Sequence, residues 1–264
     1  MAKPKTGINI RLVIDLNFVN PFEFDSCLVT DIGMKRKQNQ DAGLARPDLG
    51  LFMVADGMGG HQGGEIASKL CVEKVQDYIE KHRGDTVVET PMPEALQSAN
   101  FAIYSASEKD PKLRGMGTTA TILQITQDLA TIIQVGDSRA YYWNRSGIWQ
   151  LTRDHSLVQE KLRAGLITRE QIKNDEMKNV ITRSVGYEAL VQADVFRVNL
   201  DKGDGFLLCS DGLTGPLEDA LIFEILEEST SSGLTLEAAA QKLVKSANER
   251  GGEDNVTVVL VKII

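Results

Sequence analysis

Thr118-Thr119-Ala120-Thr121-Ile122-Leu123-Gln124-Ile125-Thr126 is followed, after Gln127-Asp128, by Leu129-Ala130-Thr131-Ile132-Ile133-Gln134-Val135, and after Gly136-Asp137-Ser138-Arg139 by Ala140-Tyr141-Tyr142-Trp143. The three runs are rich in β-branched and aromatic residues, which fit a pleated surface. No helical stretch separates them. Gln127-Asp128 and Asn144-Arg145-Ser146-Gly147 read as turns, so the segment predicts a meander of hairpins. Successive strands without intervening helices argue against a doubly wound parallel sheet.

The flanks agree. Residues 26–31, 51–55, 191–200, 206–209 and 256–264 read as strands, with 51–55 apolar on both faces. Residues 63–81 read as a helix, with Ile66, Leu70, Val75 and Ile79 on one face and Glu65 in the first turn. Pro93 and Glu94 open a second helix with Leu96, Ala99, Ile103 and Ala106 as its stripe, and Asp110-Pro111 ends it. Residues 219–228 and 236–249 predict two more. Helices in pairs and strands in runs predict an α+β layered sandwich, two sheets face to face with helices outside.

The chain has 264 residues and a net charge of −8. That balance disfavours nonspecific binding to nucleic acid or an anionic membrane; Lys35-Arg36-Lys37 is a short basic exception. No apolar run is long enough to span a bilayer, and the basic start lacks a clean apolar core, so a cytoplasmic protein is expected. Cys27, Cys71 and Cys209 are scattered in apolar runs and predict reduced thiols. His61, His82 and His155 are too few and too scattered for a histidine-rich zinc site. No linker of biased composition divides the chain, which predicts one domain over residues 23–264 after an N-terminal extension, residues 1–22, that reads as an extra strand or a loose arm.

Five aspartates sit beside glycines or at strand ends: Asp41, Asp56 in Asp56-Gly57-Met58-Gly59-Gly60-His61, Asp137, Asp211 and Asp254. Each alone reads as turn chemistry. Their recurrence after or before buried strands is different, because a carboxylate there needs neutralising. Hard divalent cations with oxygen ligands do this, so the pattern predicts a metal site and metal-assisted hydrolysis. The glycine-rich loop lacks the spacing of a Walker or dinucleotide-binding motif. Arg36 reads either as a solvated charge or as a phosphate fork near the metal. His61 reads as a general acid or as a loop residue supporting the glycine turn, and His155 as structural or flap-anchoring.

Together the motifs resemble the metal-dependent serine/threonine protein phosphatases of type 2C, in their bacterial form. The matching stretches, from about Ser26 to the C-terminus, are Thr30-Asp31-Ile32-Gly33 with Arg36 and Asn39-Gln40-Asp41; Val54-Ala55-Asp56-Gly57-Met58-Gly59-Gly60-His61; Gly115-Met116-Gly117-Thr118-Thr119; Val135-Gly136-Asp137-Ser138-Arg139; Leu151-Thr152-Arg153-Asp154-His155-Ser156; Cys209-Ser210-Asp211-Gly212-Leu213; and Gly252-Glu253-Asp254-Asn255-Val256-Thr257. The resemblance implies a four-layer α-β-β-α sandwich with two central, mainly antiparallel sheets. It implies two core Mn²⁺ or Mg²⁺ ions bridged by Asp56. Asp211 and Asp254 would hold the first and the Gly57 carbonyl the second, with Asp41 near the second ion through water. Asp137 with Asp211 would hold a third, weaker ion. Arg36 would grip phosphate, and Asn255 would orient Asp254 or metal waters. Hydrolysis would then proceed by in-line attack of a metal-bridging hydroxide on phosphoserine or phosphothreonine. Met58 stands where animal members carry a histidine, which leaves metal-bound water or His61 as proton donor. Phosphorylated proteins and an opposing Ser/Thr kinase are the implied partners, with no nucleic acid, no membrane and a monomeric chain. The alternative is a catalytically weak or inactive pseudo-phosphatase serving as a signalling or binding module.

Residues 156–183 match the family's variable flap, with Leu157, Leu162 and Ile167 as expected anchors and Lys161, Arg163 and Arg169 as solvated charges. A polar segment beside the site suits substrate selection. Exchanging it for a relative's flap is expected to change relative rates on phosphopeptides more than turnover of a small aryl phosphate. Equal changes on both substrates would refute that role.

Overall fold

In chain order the elements are β1 (Phe24–Asp31), β2 (Asp41–Arg46), β3 (Leu51–Met58), α1 (Gly63–Lys81), α2 (Met92–Lys109), β4 (Gly117–Thr118), β5 (Ala120–Thr126), β6 (Leu129–Val135), β7 (Arg139–Asn144), β8 (Gly147–Gln150), α3 (Leu157–Arg163), α4 (Arg169–Ile172), β9 (Asp194–Asn199), β10 (Gly205–Cys209), α5 (Asp211–Thr214), α6 (Asp219–Ser231), α7 (Leu236–Glu249) and β11 (Val256–Ile263). The structure is a computed structural model that describes residues 22–59, 63–83, 91–172, 174–231 and 233–264. The expected N-terminal extension, apart from Phe22, and His61 lie outside the described residues.

Two antiparallel sheets form the centre. One has the order β1-β11-β10-β7-β8 and the other β2-β3-β5-β6-β9, with β4 paired to β3. Three apolar cores separate four layers. The first joins β3, β5 and β6 to α1 and α2 through Met53, Val75, Leu96 and Ile122. The second joins β7, β10 and β11 to α6 and α7 through Trp143, Leu226, Leu243 and Val258. The third lies between the sheets, around Phe52, Leu123, Phe206 and Val261. The α-β-β-α sandwich is therefore as expected. Strand β3 shows why its sequence is apolar without alternation: Leu51, Met53 and Ala55 face the helices, while Phe52 and Val54 face the opposite sheet.

The meander does not continue through residue 143 as one sheet. β5 and β6 form a hairpin, but β7 pairs with β10 in the other sheet. The chain changes layer at Gly136-Asp137-Ser138. Gly136 has φ +98°, and a Cβ there would stand 2.5 Å from the Thr119 side chain, so only glycine fits the crossing. The switch carries Asp137 to the rim between the sheets. β2 was not predicted; Ala42-Gly43-Leu44-Ala45 has weak strand preference and is held extended by pairing with β3.

Phe52 is fully buried and meets Phe24 edge-on, with ring centroids 6.1 Å apart. Phe52→Ala is expected to lower unfolding free energy by about 3–5 kcal/mol in urea titrations, through lost transfer energy and a residual cavity. A loss under about 1 kcal/mol would contradict close packing between the sheets.

Candidate metal centre

The five aspartates arrive from separate elements. Asp41 begins β2 directly opposite Asp56 near the end of β3. Asp137 lies in the layer-changing turn, Asp211 opens α5 immediately after Ser210 at the end of β10, and Asp254 lies just before β11. Asp41, Asp137, Asp211 and Asp254 all lie within electrostatic reach of Asp56. Burial pushes the Asp41 carboxyl up to about 6, helped by Asp211 and Asp254 and opposed by hydrogen bonds from Thr257 and Ser210. Burial raises Asp56 well above the ordinary carboxylate value, and the charges of Asp41, Asp211, Asp137 and Asp254 raise it further. Burial and then Asp211 bring Asp137 to about 7. Burial and then Asp254 raise Asp211. Each shift reports the same strain, negative charge gathered away from water.

The side chains that hold these carboxylates are mostly neutral. Ser210 Oγ donates to Asp41 Oδ2 at 2.7 Å. The Asp56 backbone is clamped by Thr119, whose Oγ1 accepts its N–H at 2.8 Å, and by Thr118 and Thr119, which donate to its carbonyl. Gly57 donates to the Gln40 carbonyl at 3.1 Å. A Cβ on Gly57 would stand 2.0 Å from the Gly64 carbonyl oxygen at the start of α1, so that glycine is also required by close backbone packing.

Asn255 clasps two loops. Its Oδ1 accepts the Gln40 N–H at 2.8 Å, and its Nδ2 donates to the carbonyls of Ile32 and Gln38. Its own N–H donates to Asp254 Oδ1 at 2.8 Å, so the residue orients Asp254 through its backbone. Arg36 lies on the clasped loop and donates to Asp254 Oδ2 at 2.5 Å, with its side chain 49 % exposed.

His155 is 3 % exposed. Its Nδ1 accepts the Gly136 N–H at 3.2 Å, its own N–H donates to the Gly136 carbonyl at 2.9 Å, and its carbonyl accepts from Thr182. It thus ties the base of the flap to the turn that carries Asp137. Burial and then Arg183 lower its pKa, which favours the neutral ring; the Nδ1 acceptor role puts its proton on Nε2, toward Asp194. Arg139 is taken up by a bidentate pair with Asp154, at 2.7 to 3.1 Å. In the flap, Val158 is the buried anchor, while Leu157, Leu162 and Ile167 are half-buried. Lys161, expected to be solvated, instead pairs with Asp175 at 2.9 Å.

Among the described residues no three carboxylate, thiol or imidazole side chains stand together as a ready-made metal cage. The donor set still fits a hard cation. Asp41 Oδ1 and Asp211 Oδ1 are buried without a hydrogen-bond partner, an arrangement costly for a carboxylate unless a cation completes it. Ser210 satisfies only Oδ2 of Asp41. His61 lies outside the described residues.

A family model described as Protein phosphatase 2C matches residues 34–246. The chain belongs to the protein phosphatase 2C family. It is 38% identical over 239 residues to the serine/threonine phosphatase stp of Listeria monocytogenes, covering 88% of this chain and 93% of that protein. It is 38% identical over 241 residues to the protein phosphatase PhpP of Streptococcus pneumoniae, covering 89% and 96%. Among solved structures, the catalytic domain of the serine/threonine protein phosphatase PstP in complex with two manganese ions superposes with a TM-score of 0.82 at 31% identity, covering 92% of this chain and 99% of that one. Stp1 of Staphylococcus aureus gives a TM-score of 0.83 at 32% identity, covering 91% and 95%. In this phosphatase 2C chain, sequence reading missed the roles of Ser210 and Thr119. Both lie inside quoted motifs, but nothing in their spacing distinguishes a clamp from an ordinary buried hydroxyl.

An acid whose pKa is higher in the folded chain binds more protons folded than unfolded between the two values, so stability falls as pH rises through that window. For Asp137 without metal the window runs from 3.8 to about 7. In EDTA, Asp137→Asn is expected to gain thermal stability relative to the unaltered chain as pH is raised across this window. A difference in Tm that stays constant with pH would contradict the shift.

Proposed function

We propose that this chain removes phosphate from phosphoserine and phosphothreonine in proteins as a metal-dependent phosphatase of the 2C family. The observation that carries the reading is the pair of buried carboxylate oxygens left without partners at Asp41 and Asp211, on aspartates within electrostatic reach of Asp56, Asp137 and Asp254. Asp56 would bridge two Mn²⁺ or Mg²⁺ ions, with Asp211 and Asp254 on one and the Gly57 carbonyl on the other, which Asp41 would approach through water. Asp137 with Asp211 would serve a third, weaker site. When bound, such ions act as Lewis acids on the phosphoryl group and lower the pKa of water.

The chain's own residues supply the rest. Arg36 has guanidinium donors beyond the one engaged by Asp254 and sits half-exposed, suited to grip two phosphate oxygens in a fork. Asn255 sets the loop that carries Arg36 against the one that carries Asp254, so the phosphate grip and the metal ligand move as one unit. Ser210 holds one oxygen of Asp41 and leaves the other for a cation. His155 fixes the turn of Asp137. Cys71 and Cys209 are buried thiols whose pKa burial pushes up to about 12, so neither suits a thiolate nucleophile. His61 is the candidate proton donor among side chains. Phosphoproteins made by a Ser/Thr kinase are the proposed substrates, acted on in the cytoplasm by a monomer. Among the described residues no helix is long and apolar enough to cross a membrane.

Hydrolysis of para-nitrophenyl phosphate and of a phosphothreonine peptide is expected to require Mn²⁺, to cease in EDTA, and to fall at least about 100-fold in Asp211→Ala, the scale of losing a group that organises transition-state charge. Folded protein with no Mn²⁺-dependent activity on either substrate would overturn the reading in favour of a pseudo-phosphatase.

A further inference from the structure

Strand β6 ends in Ile132-Ile133-Gln134-Val135, and its glutamine is fully buried. By strand alternation Gln134 shares the face of Ala130 and Ile132, which look toward the other sheet. An amide there is costly unless its groups find partners. Thr121, directly across the β5–β6 pair, donates from Oγ1 to Gln134 Oε1 at 2.7 Å. Gln134 Nε2 donates to the Gly136 carbonyl at 2.9 Å and to the Ser138 carbonyl at 2.6 Å. Turning the amide over would set its own oxygen against two carbonyls, so one orientation alone satisfies it.

Those carbonyls belong to the residues on either side of Asp137. One side chain therefore holds the backbone both before and after that aspartate. His155 holds the Gly136 peptide from the flap side, while Gln134 holds Gly136 and Ser138 from the core side. The same turn is tied to Asp56 by hydroxyls. Ser138 Oγ lies 2.8 Å from Thr119 Oγ1, which accepts the Asp56 N–H. Thr119, Thr121, Gln134 and Ser138 are all fully buried. A connected polar chain thus runs from Thr121 through Gln134 and Ser138 to the backbone of Asp56. A buried network whose members are satisfied specifies one geometry.

We propose that Gln134 is a positioning residue for Asp137. By holding both neighbouring carbonyls it fixes the turn that presents the Asp137 carboxylate, and so sets the affinity of the weakest metal site. This rests on the phosphatase reading above, in which Asp137 with Asp211 serves that site. The amide of Gln134 is engaged by backbone and by Thr121, so it acts through Asp137. The two core ions draw on Asp56, Asp211, Asp254 and the Gly57 carbonyl, which lie outside the turn.

Mn²⁺ binding to the intact protein, followed by paramagnetic resonance of the free ion, tests this without reference to turnover. Gln134→Met keeps the length of the side chain and loses both donors. It is expected to weaken the weakest Mn²⁺ site at least about tenfold, the scale of losing a group that orients a ligand, while the two tighter ions keep their affinity. In EDTA the amides of Gly136 and His155 are expected to exchange faster than in the unaltered chain, with Leu208 and Val259 unchanged. Thr121→Val removes only the donor that locks the amide. It is expected to act in the same direction more weakly, and it decides the matter if Gln134→Met does not fold. Equal weakening of all the ions would make Gln134 an ordinary core contact and overturn the proposal, as would a weakest site left unchanged in a folded variant. An unaltered chain that binds two ions and no third would also overturn it, with the phosphatase reading intact. An unaltered chain that binds no Mn²⁺ would overturn that reading and this proposal together.

Discussion

Like charges held away from water are the constraint around which this molecule is arranged. A carboxylate at the end of a buried strand cannot move into solvent without dragging the strand with it. β2 and β3 put Asp41 and Asp56 opposite each other by register alone, before any other element contributes. The layer change brings Asp137, β10 brings Asp211, and the approach to β11 brings Asp254. Burial and mutual repulsion lift the pKa of Asp41, Asp56, Asp137 and Asp211 together. A two-sheet sandwich whose central strands are buried on both faces is a rigid support for these carboxylates, because relaxing any one of them would open a packed core.

What surrounds the cluster is consistent with leaving that charge for a cation. Serine, threonine, asparagine and backbone groups do most of the holding. Arg139 is committed to Asp154 by three hydrogen bonds, and Arg36 is partly exposed at the mouth. A lysine or arginine buried among the aspartates would satisfy them outright and remove the reason to bind metal. Neutral donors fix their positions and leave the excess negative charge in place. The Asn255 clasp adds a second link, since its side chain joins the loop of Arg36 to the approach to Asp41 while its own backbone N–H holds Asp254 Oδ1.

Much of this was legible in the amino-acid order. The apolar run of β3, the stripes of α1 and α2, and the β5–β6 hairpin carry strong local periodicity, and each formed where its pattern placed it. The strand-then-aspartate recurrence pointed to a metal site because it repeats beyond what independent turns would produce. Other features were hidden for physical reasons. β2 has little propensity of its own and exists because β3 pairs with it. Gly136 looked like an ordinary hairpin glycine; its φ and its contact with Thr119 are what send the chain into the second sheet. Val158 rather than its neighbours became the flap's buried contact, and Lys161 found Asp175, because the direction of a side chain in a short polar segment is settled by what packs beside it.

The sequence by itself determined the layered α+β class, the strands and helices with clear period, the family motifs and the recurrence of aspartates at strand ends. These are local or recurrent properties, readable from residue type and spacing. The tertiary structure decided which sheet each strand joins, that Asp41 faces Asp56, that Asn255 clasps the loop of Arg36, and that His155 serves the turn of Asp137. Those are contacts between residues far apart in the chain, and their geometry follows from how three apolar cores close at once, which no single stretch of sequence encodes.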